Sequence, residues 1–311
     1  MIQRYFVRDD EVASVITGIG DDGAVIRPPM GKDLVAVVDT LIEGVHFPHG
    51  VDSDSADYIA HRAVAVNLSD IAAMGAEPRW MTLALTLNEV DSRWLHSFAG
   101  GLHSIAADHG MRLVGGDTTK GDNIVVTVQV MGVVGPGEMI LRSGAQVGDT
   151  IYVSGELGDA AAGLHLIEHP QDEYLEPHGY LMSRFEYPAA RLSLGSALAG
   201  RASAAIDISD GLYADLNKLL TASGVGADIS LDKVPLSIAL RTSFDSEQQR
   251  QFALCGGDDY ELCITSSNPL PDEIDGVPLT AIGEVTKGSG IVCRDGGEVV
   301  PFTDSGYRHF Q

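Results

Sequence analysis

The chain has 311 residues, 44% of them hydrophobic and 21% charged, which is the composition of a folded protein and excludes disorder. Single cores seldom grow beyond roughly 250–300 residues, so two domains are expected. Twenty Lys and Arg, only five of them Lys, stand against 44 Asp and Glu, giving a net charge of −24. Such a field excludes nucleic acid and anionic membranes as partners, because both are held by protein cations that neutralise phosphates. An anionic small ligand would need metal ions as a bridge.

Three cysteines, Cys255, Cys263 and Cys293, form no CxxC pair and fit reduced thiols in a cytosol. Met1 to Asp10 has no apolar core like that of a signal peptide, and no stretch approaches the ~20 apolar residues of a membrane span. The expectation is a soluble cytoplasmic protein.

In chain order, Leu34–Asp39 reads as a strand and Asp54–Ala76 as a helix stopped by Gly75 and Pro78. Trp80–Leu87 alternates like a strand. Asp91–His109 reads as a helix with Trp94, Leu95, Phe98, Leu102 and Ile105 on one face, and Met111–Val114 and Ile124–Val134 as strands. Pro/Gly punctuation is densest near residues 135–148, which places the domain boundary there, with domains 1–140 and 141–311. The second half repeats the alternation. It has a strand at Thr150–Ser154, a helix from about Gly158, a helix near Tyr180–Ala199, a strand at Ala204–Ile208 and a helix at Asp210–Ser223. A helix at Glu247–Leu254 and strands at Glu261–Thr265 and near Ala281 follow. Alternating strands and helices argue an α/β protein.

Gly18-Ile-Gly-Asp-Asp-Gly23 matches G-x-G-x-x-G, but a dinucleotide fingerprint must open a helix. The next residues, Ala-Val-Ile-Arg-Pro-Pro, form a strand and a break, and two acids in the loop would repel a pyrophosphate. No G-x-x-x-x-G-K-[ST] occurs, so a P-loop is excluded. Apolar runs end in an aspartate at Asp39, Asp117 and Asp207. Ligands of open α/β sheets bind beyond the carboxyl ends of strands, and Mg²⁺ takes carboxylate oxygens while bridging to phosphates. Singly, each such aspartate is more ordinarily a turn former or helix cap. On the helix 54–76, Ile59, Ala63, Val66, Asp70 and Met74 form one stripe facing the core. Asp70 therefore needs either a cation, a metal ion or a basic side chain such as Arg62, or a neutral, hydrogen-bonded state. Glycines at 115–116, 155 and 158, and 256–257 let backbone approach a ligand closely or simply make turns.

Together these segments resemble the thiamine-monophosphate kinases. The matching stretches are Gly18–Asp22, Val38–Phe47, Ala65–Gly75, Gly115–Thr119, Arg142–Gly144, Ile206–Leu212 and Gly256–Leu262, running on to Tyr307–Phe310, so the resemblance covers essentially the whole chain. It implies a fold similar to aminoimidazole-ribonucleotide synthetase: an N-terminal mixed-sheet domain, binding ATP and Mg²⁺ and pairing across a homodimer to close a β-barrel, beside a C-terminal α/β domain. It implies transfer of the γ-phosphoryl of ATP onto thiamine monophosphate with several Mg²⁺ ions.

By position, the resemblance assigns Asp22, Asp39, Asp70, Asp117, Asp207 and Asp210 to metal binding, with the backbone of Val38 beside them. It assigns Gly116, Asp117, Arg142 and Ser209 to the nucleotide and His46, Asp258 and Tyr307 to thiamine monophosphate, and it makes Asp117 and Asp210 the catalytic carboxylates. Two departures stand out. Val37 and Val38 occupy positions where the family often has Ser or Thr, and Asp258 replaces the usual Glu of Gly-Gly-Glu-Asp-Tyr. The rival readings are another member of the same superfamily, such as an aminoimidazole-ribonucleotide synthetase or a selenophosphate synthetase, and a non-catalytic sensor of nucleotide and Mg²⁺. Selenophosphate synthetases usually carry an N-terminal reactive Cys or selenocysteine, and here no Cys precedes residue 255.

Overall fold

The computed structural model describes residues 1–8, 12–170 and 175–301. The chain divides into two compact units, Met1–Ile71 with Ala76–Gly137 and Ala72–Gly75 with Glu138–Gln311.

In the first unit, a short helix α1 (Ile2–Tyr5) precedes the hairpin of β1 (Val15–Thr17) and β2 (Val25–Ile26). The segment after Gly23 is therefore strand, as the sequence predicts, and the dinucleotide-binding reading falls. Strands β3 (Asp33–Ile42), β4 (Glu77–Leu87), β5 (Arg112–Lys120) and β6 (Val125–Val134) form one mixed sheet in the order β3-β6-β4-β5, with only β4 and β5 parallel. Helix α2 (Ala56–Ala73) follows a single helical turn, and α3 (Ser92–Asp108) is capped by Asp91, whose carboxylate accepts the Arg93 N–H.

Alternation decides which face is dry. Val126, Val128 and Val130 of β6 and Leu83, Leu85 and Leu87 of β4 are buried, on the face that α2 covers, where Ile71 approaches Gly132. The opposite face carries Thr40, Ala84, Leu34 (49% exposed) and Val38 (58% exposed). The β1–β2 hairpin covers one end of that face, packing Val15 and Ile26 on Trp80, Val114, Val133 and Met131.

The second unit is built on β7 (Thr150–Ser154), α4 (Asp159–Glu168), α5 (Glu176–Glu186), α6 (Leu192–Leu198), β8 (Ala204–Asp207), α7 (Leu212–Ser223) and β9 (Gly226–Ser230). Then come α8 (Ile238–Ser243), α9 (Ser246–Cys255), β10 (Leu262–Ser266), β11 (Glu273–Ile274), β12 (Val277–Thr286), β13 (Gly290–Asp295) and β14 (Glu298–Val300). The sheet runs β14-β13-β9-β12-β7-β10-β8, with β11 beside β12, and only β9 and β13 pair parallel. It is covered on both faces. Leu212, Leu216, Leu219 and Leu220 of α7 join Ile151, Val153 and Ile206 in one core, while Leu194 and Leu198 of α6 join Tyr152, Ala205 and Ile264 in the other. This explains why β10 is buried along its whole length.

Two expectations from the sequence need correction. The single helix near Tyr180–Ala199 is two, α5 and α6. Pro188 supplies no N–H and drives Tyr187 out of the helical region (φ −125°, ψ 67°). Asp39 and Asp117 are not strand-end residues, since β3 runs on to Ile42 and β5 to Lys120, each held in register by its neighbour. Only Asp207 closes its strand.

Candidate active site

Register places the carboxylates of the first unit. Asp39 lies in the row Asp39–Val128–Leu83–Gly116, whose members Val128 and Leu83 are buried, so it belongs to the face that α2 covers. Asp117 lies in the next row with Thr40, Thr127 and Ala84, and its side chain is exposed. The two aspartates therefore fall on opposite faces of the sheet. Between these rows Gly116 adopts φ +150°, and a Cβ there would stand 1.8 Å from the Leu83 carbonyl oxygen. Only glycine lets β5 run this close to β4. Asp117 Oδ1 accepts the Thr118 N–H at 2.8 Å.

On α2 the predicted stripe is present. Ile59, Ala63 and Val66 are buried and Asp70 is half-buried, with Arg62 and Asn67 buried in the same helix. The Asn67 amide donates to the Ala63 carbonyl at 2.9 Å, and its own oxygen has no hydrogen-bond partner among the described residues. Asp22 is exposed in the β1–β2 turn, where its N–H donates to Asp21 Oδ1 at 2.8 Å. His46 sits in the loop after β3. Its Nδ1 accepts the Ile42 N–H at 3.1 Å, which leaves the proton of the neutral ring on Nε2 as a donor. Glu43 pins this loop by accepting the N–H groups of Gly50 at 3.2 Å and Ile124 at 3.1 Å.

In the second unit the sequence continues from Asp207, only 4% exposed, through Ile208 and Ser209 to Asp210 at the start of α7. The loop Gly256–Glu261 is laid against this segment. Asp258 N–H donates to the Ser209 carbonyl at 2.9 Å and Tyr260 N–H to the Ile208 carbonyl at 2.9 Å. A Cβ on Gly257 would stand 2.3 Å from the Ser209 oxygen, so a side chain there would push the two segments apart. Ser209, Asp210 and Asp258 are thus brought together.

Arg142 is not placed with them. Its loop is fastened to the other end of the same elements: Leu141 accepts the Ala205 N–H, and Ser223, the last residue of α7, donates to the Arg142 carbonyl at 3.2 Å. Ser223 is the last of the twelve residues of α7, a helix roughly 18 Å long at 1.5 Å per residue. Tyr307 lies outside the described residues.

Several charged groups that the sequence reading missed support the Gly256–Glu261 loop. Asp259 is buried and accepts the N–H groups of Gly158 (2.7 Å) and Ala160 (3.3 Å) at the start of α4. Burial drives its carboxyl well above the usual range, against the pull of those two donors. Glu261 is fully buried between Arg184, Arg191 and Ser154. These partners are tens of residues distant, and no local spacing signals them.

Among the described residues no group of three or more His, Cys, Asp or Glu side chains is gathered as a metal cage. The donor chemistry nonetheless fits Mg²⁺, a hard cation that takes one or two carboxylates and fills its other positions with water and phosphate oxygens.

Residues 20–134 match the model of the AIR synthase related protein N-terminal domain, and residues 146–296 match the C-terminal domain model. The thiamine-monophosphate kinases of Salmonella typhimurium (strain LT2) and Escherichia coli (strain K12) are each 44% identical to the chain, over all of its length and 97% of theirs. The chain belongs to the thiamine-monophosphate kinase family. The crystal structure of thiamine-monophosphate kinase from Stenotrophomonas maltophilia K279a superposes with a TM-score of 0.83 at 41% identity, covering 93% of each chain. AaThiL complexed with AMPPCP and TMP superposes with a TM-score of 0.80 at 33% identity, covering 94% of this chain and 92% of that one. The fold extends to the hydrogenase maturation protein HypE, with a TM-score of 0.72 at 19% identity.

Proposed function

We propose that the protein transfers the γ-phosphoryl group of ATP directly onto thiamine monophosphate, giving thiamine diphosphate and ADP. The observation that carries this reading is the 2.9 Å hydrogen bond from Asp258 N–H to the Ser209 carbonyl. It joins the residue that family position assigns to thiamine monophosphate to the one assigned to the nucleotide, and transfer between two phosphates requires that proximity.

The acceptor needs little activation. A phosphate monoester has a second pKa near ~6, so one of its oxygens attacks the γ-phosphorus as the bond to the β-phosphate oxygen of departing ADP breaks. The protein's own part is then positioning. The Arg142 guanidinium presents a planar fork of donors suited to nucleotide phosphate, with the close backbone at Gly116 beside it in role. His46 Nε2–H donates toward substrate phosphate, Asp258 accepts from the substrate, and Tyr307 packs on a substrate ring. Asp22, Asp39, Asp70, Asp117, Asp207 and Asp210, with the Val38 backbone, would hold Mg²⁺, which supplies charge neutralisation on the phosphates when bound. By family position, Asp117 and Asp210 are the catalytic carboxylates of this reading.

The same reading takes the protein to be a homodimer, with the N-terminal unit as its pairing domain. The open face of the four-stranded sheet, with Leu34 and Val38 exposed, supports it. The buried free thiols of Cys255, Cys263 and Cys293 suit the cytoplasm.

The test is Asp117→Asn. Its exposed side chain makes the exchange harmless to the fold, so unchanged melting with turnover reduced on the order of 100-fold or more is expected. Turnover near that of the parent protein would sink the assignment.

A further inference from the structure

Lys218 is one of five lysines in a chain of net charge −24, and it is committed to two carboxylates. Its Nζ lies 2.5 Å from Asp210 Oδ2 and 2.7 Å from Asp215 Oδ1. Asp215 is itself buried, and its other oxygen, Oδ2, accepts the backbone N–H groups of Ser209 at 2.9 Å and Asp210 at 2.8 Å. Asp215 therefore fixes the turn that presents Ser209 and Asp210, and the ammonium fixes the Asp210 side chain above that turn. The helix explains the reach. Side chains lean toward a helix N-terminus, so Lys218 lies back over the first turn of α7 onto the residue that precedes it.

The location is costly for a cation. A helix N-terminus carries partial positive charge and favours anions, so the position of Lys218 is set by the two acids and not by the helix.

We propose that Lys218 is a positioning residue that serves Asp210 as a tethered cation. It holds the carboxylate in place and supplies one fixed positive charge beside Ser209, so that nucleotide binds at lower Mg²⁺ than the carboxylates alone would require. The inference rests on the nucleotide-binding reading above. Removing the ammonium leaves Asp210 and Asp215 as an uncompensated acidic pair next to the nucleotide phosphates, and the missing charge has to come from solution. The side chain is 42% exposed, so its truncation opens no core cavity.

The experiment is calorimetric titration of the full chain with the non-hydrolysable analogue AMPPCP across a series of Mg²⁺ concentrations. It compares the parent protein with Lys218→Met and Lys218→Arg, with melting curves as a check on folding. No turnover is involved. For Lys218→Met the Mg²⁺ concentration giving half-maximal analogue affinity should rise roughly two- to fivefold, the range expected for losing a partly exposed ion pair, and Lys218→Arg should restore most of it. An unchanged midpoint in a folded Lys218→Met protein overturns the inference alone. A lowered midpoint overturns it too, because the ammonium would then compete with metal. Failure of the parent protein to bind AMPPCP at any Mg²⁺ concentration removes the functional reading, and the inference with it.

Discussion

The Tyr260 hydroxyl donates a 3.1 Å hydrogen bond to Asp258 Oδ1, and both residues hold left-handed backbones, with φ of +52° and +73°. Such a conformation costs a non-glycine residue roughly 1–2 kcal/mol. It persists here because Asp258 N–H and Tyr260 N–H are both fastened to the segment after β8. The strained pair aims one carboxylate, and strain of this kind collects where a side chain must be presented to a ligand.

Tyr260→Phe removes the hydroxyl and keeps the ring. The half-buried Asp258 carboxylate loses one hydrogen bond, a net contribution of about 0.5–1.5 kcal/mol for a typical protein hydrogen bond. KM for thiamine monophosphate should rise about two- to tenfold, with KM for ATP and the melting temperature little changed. Steady-state kinetics with each substrate varied in turn will check this, and an equal rise in both KM values would argue against a role confined to the acceptor.

Asp259 gives a pH dependence of defined sign. Burial raises its folded-state pKa well above 3.8, so the folded protein binds a proton that the unfolded chain releases. The stability this contributes is full below about pH 3.8 and is lost as pH rises through the folded value. Urea midpoints measured from about pH 4 to about pH 8 should fall more steeply with rising pH in the parent protein than in Asp259→Asn. Parallel curves would show that the carboxyl is ionised in both states.

Glu261 should be the most stability-critical acid in the second unit. It is fully buried and meets Arg184 at 3.2 Å and Arg191 through two donors. Glu261→Ala leaves two cations facing a dry interior, which costs about 3–5 kcal/mol. A fall of that size in unfolding free energy by urea denaturation is expected, and a loss below about 1 kcal/mol would mean that water reaches the pair.

Local chemistry made much of the fold readable. Thr150–Ser154 was set by an apolar run between turn signals and is β7 to the residue. The strand after Gly18–Gly23 followed from Ala-Val-Ile-Arg-Pro-Pro. Charge misled in mid-strand: Asp39 on the covered face and Asp117 on the open one looked like strand ends, yet ladder pairing carries β3 and β5 past them. Pro188 was visible, but the apolar periodicity on either side of it masked the break. The candidate site divides in the same way. Its aspartates were legible by residue type and by resemblance. The hold of Asp215 and Lys218 on Asp210 was not, because it depends on a helix folding back over its own entry turn. The clamp of Arg184 and Arg191 on Glu261 joins residues some seventy positions apart, and the left-handed backbone of Asp258 follows from contacts to a different segment.

The most direct test of the account is product analysis by mass spectrometry after incubating the protein with ATP, Mg²⁺ and thiamine monophosphate. Thiamine diphosphate and ADP should appear in equal amounts, and neither should form when thiamine monophosphate is withheld. ADP released without thiamine diphosphate, or unchanged thiamine monophosphate beside bound ATP, would contradict it.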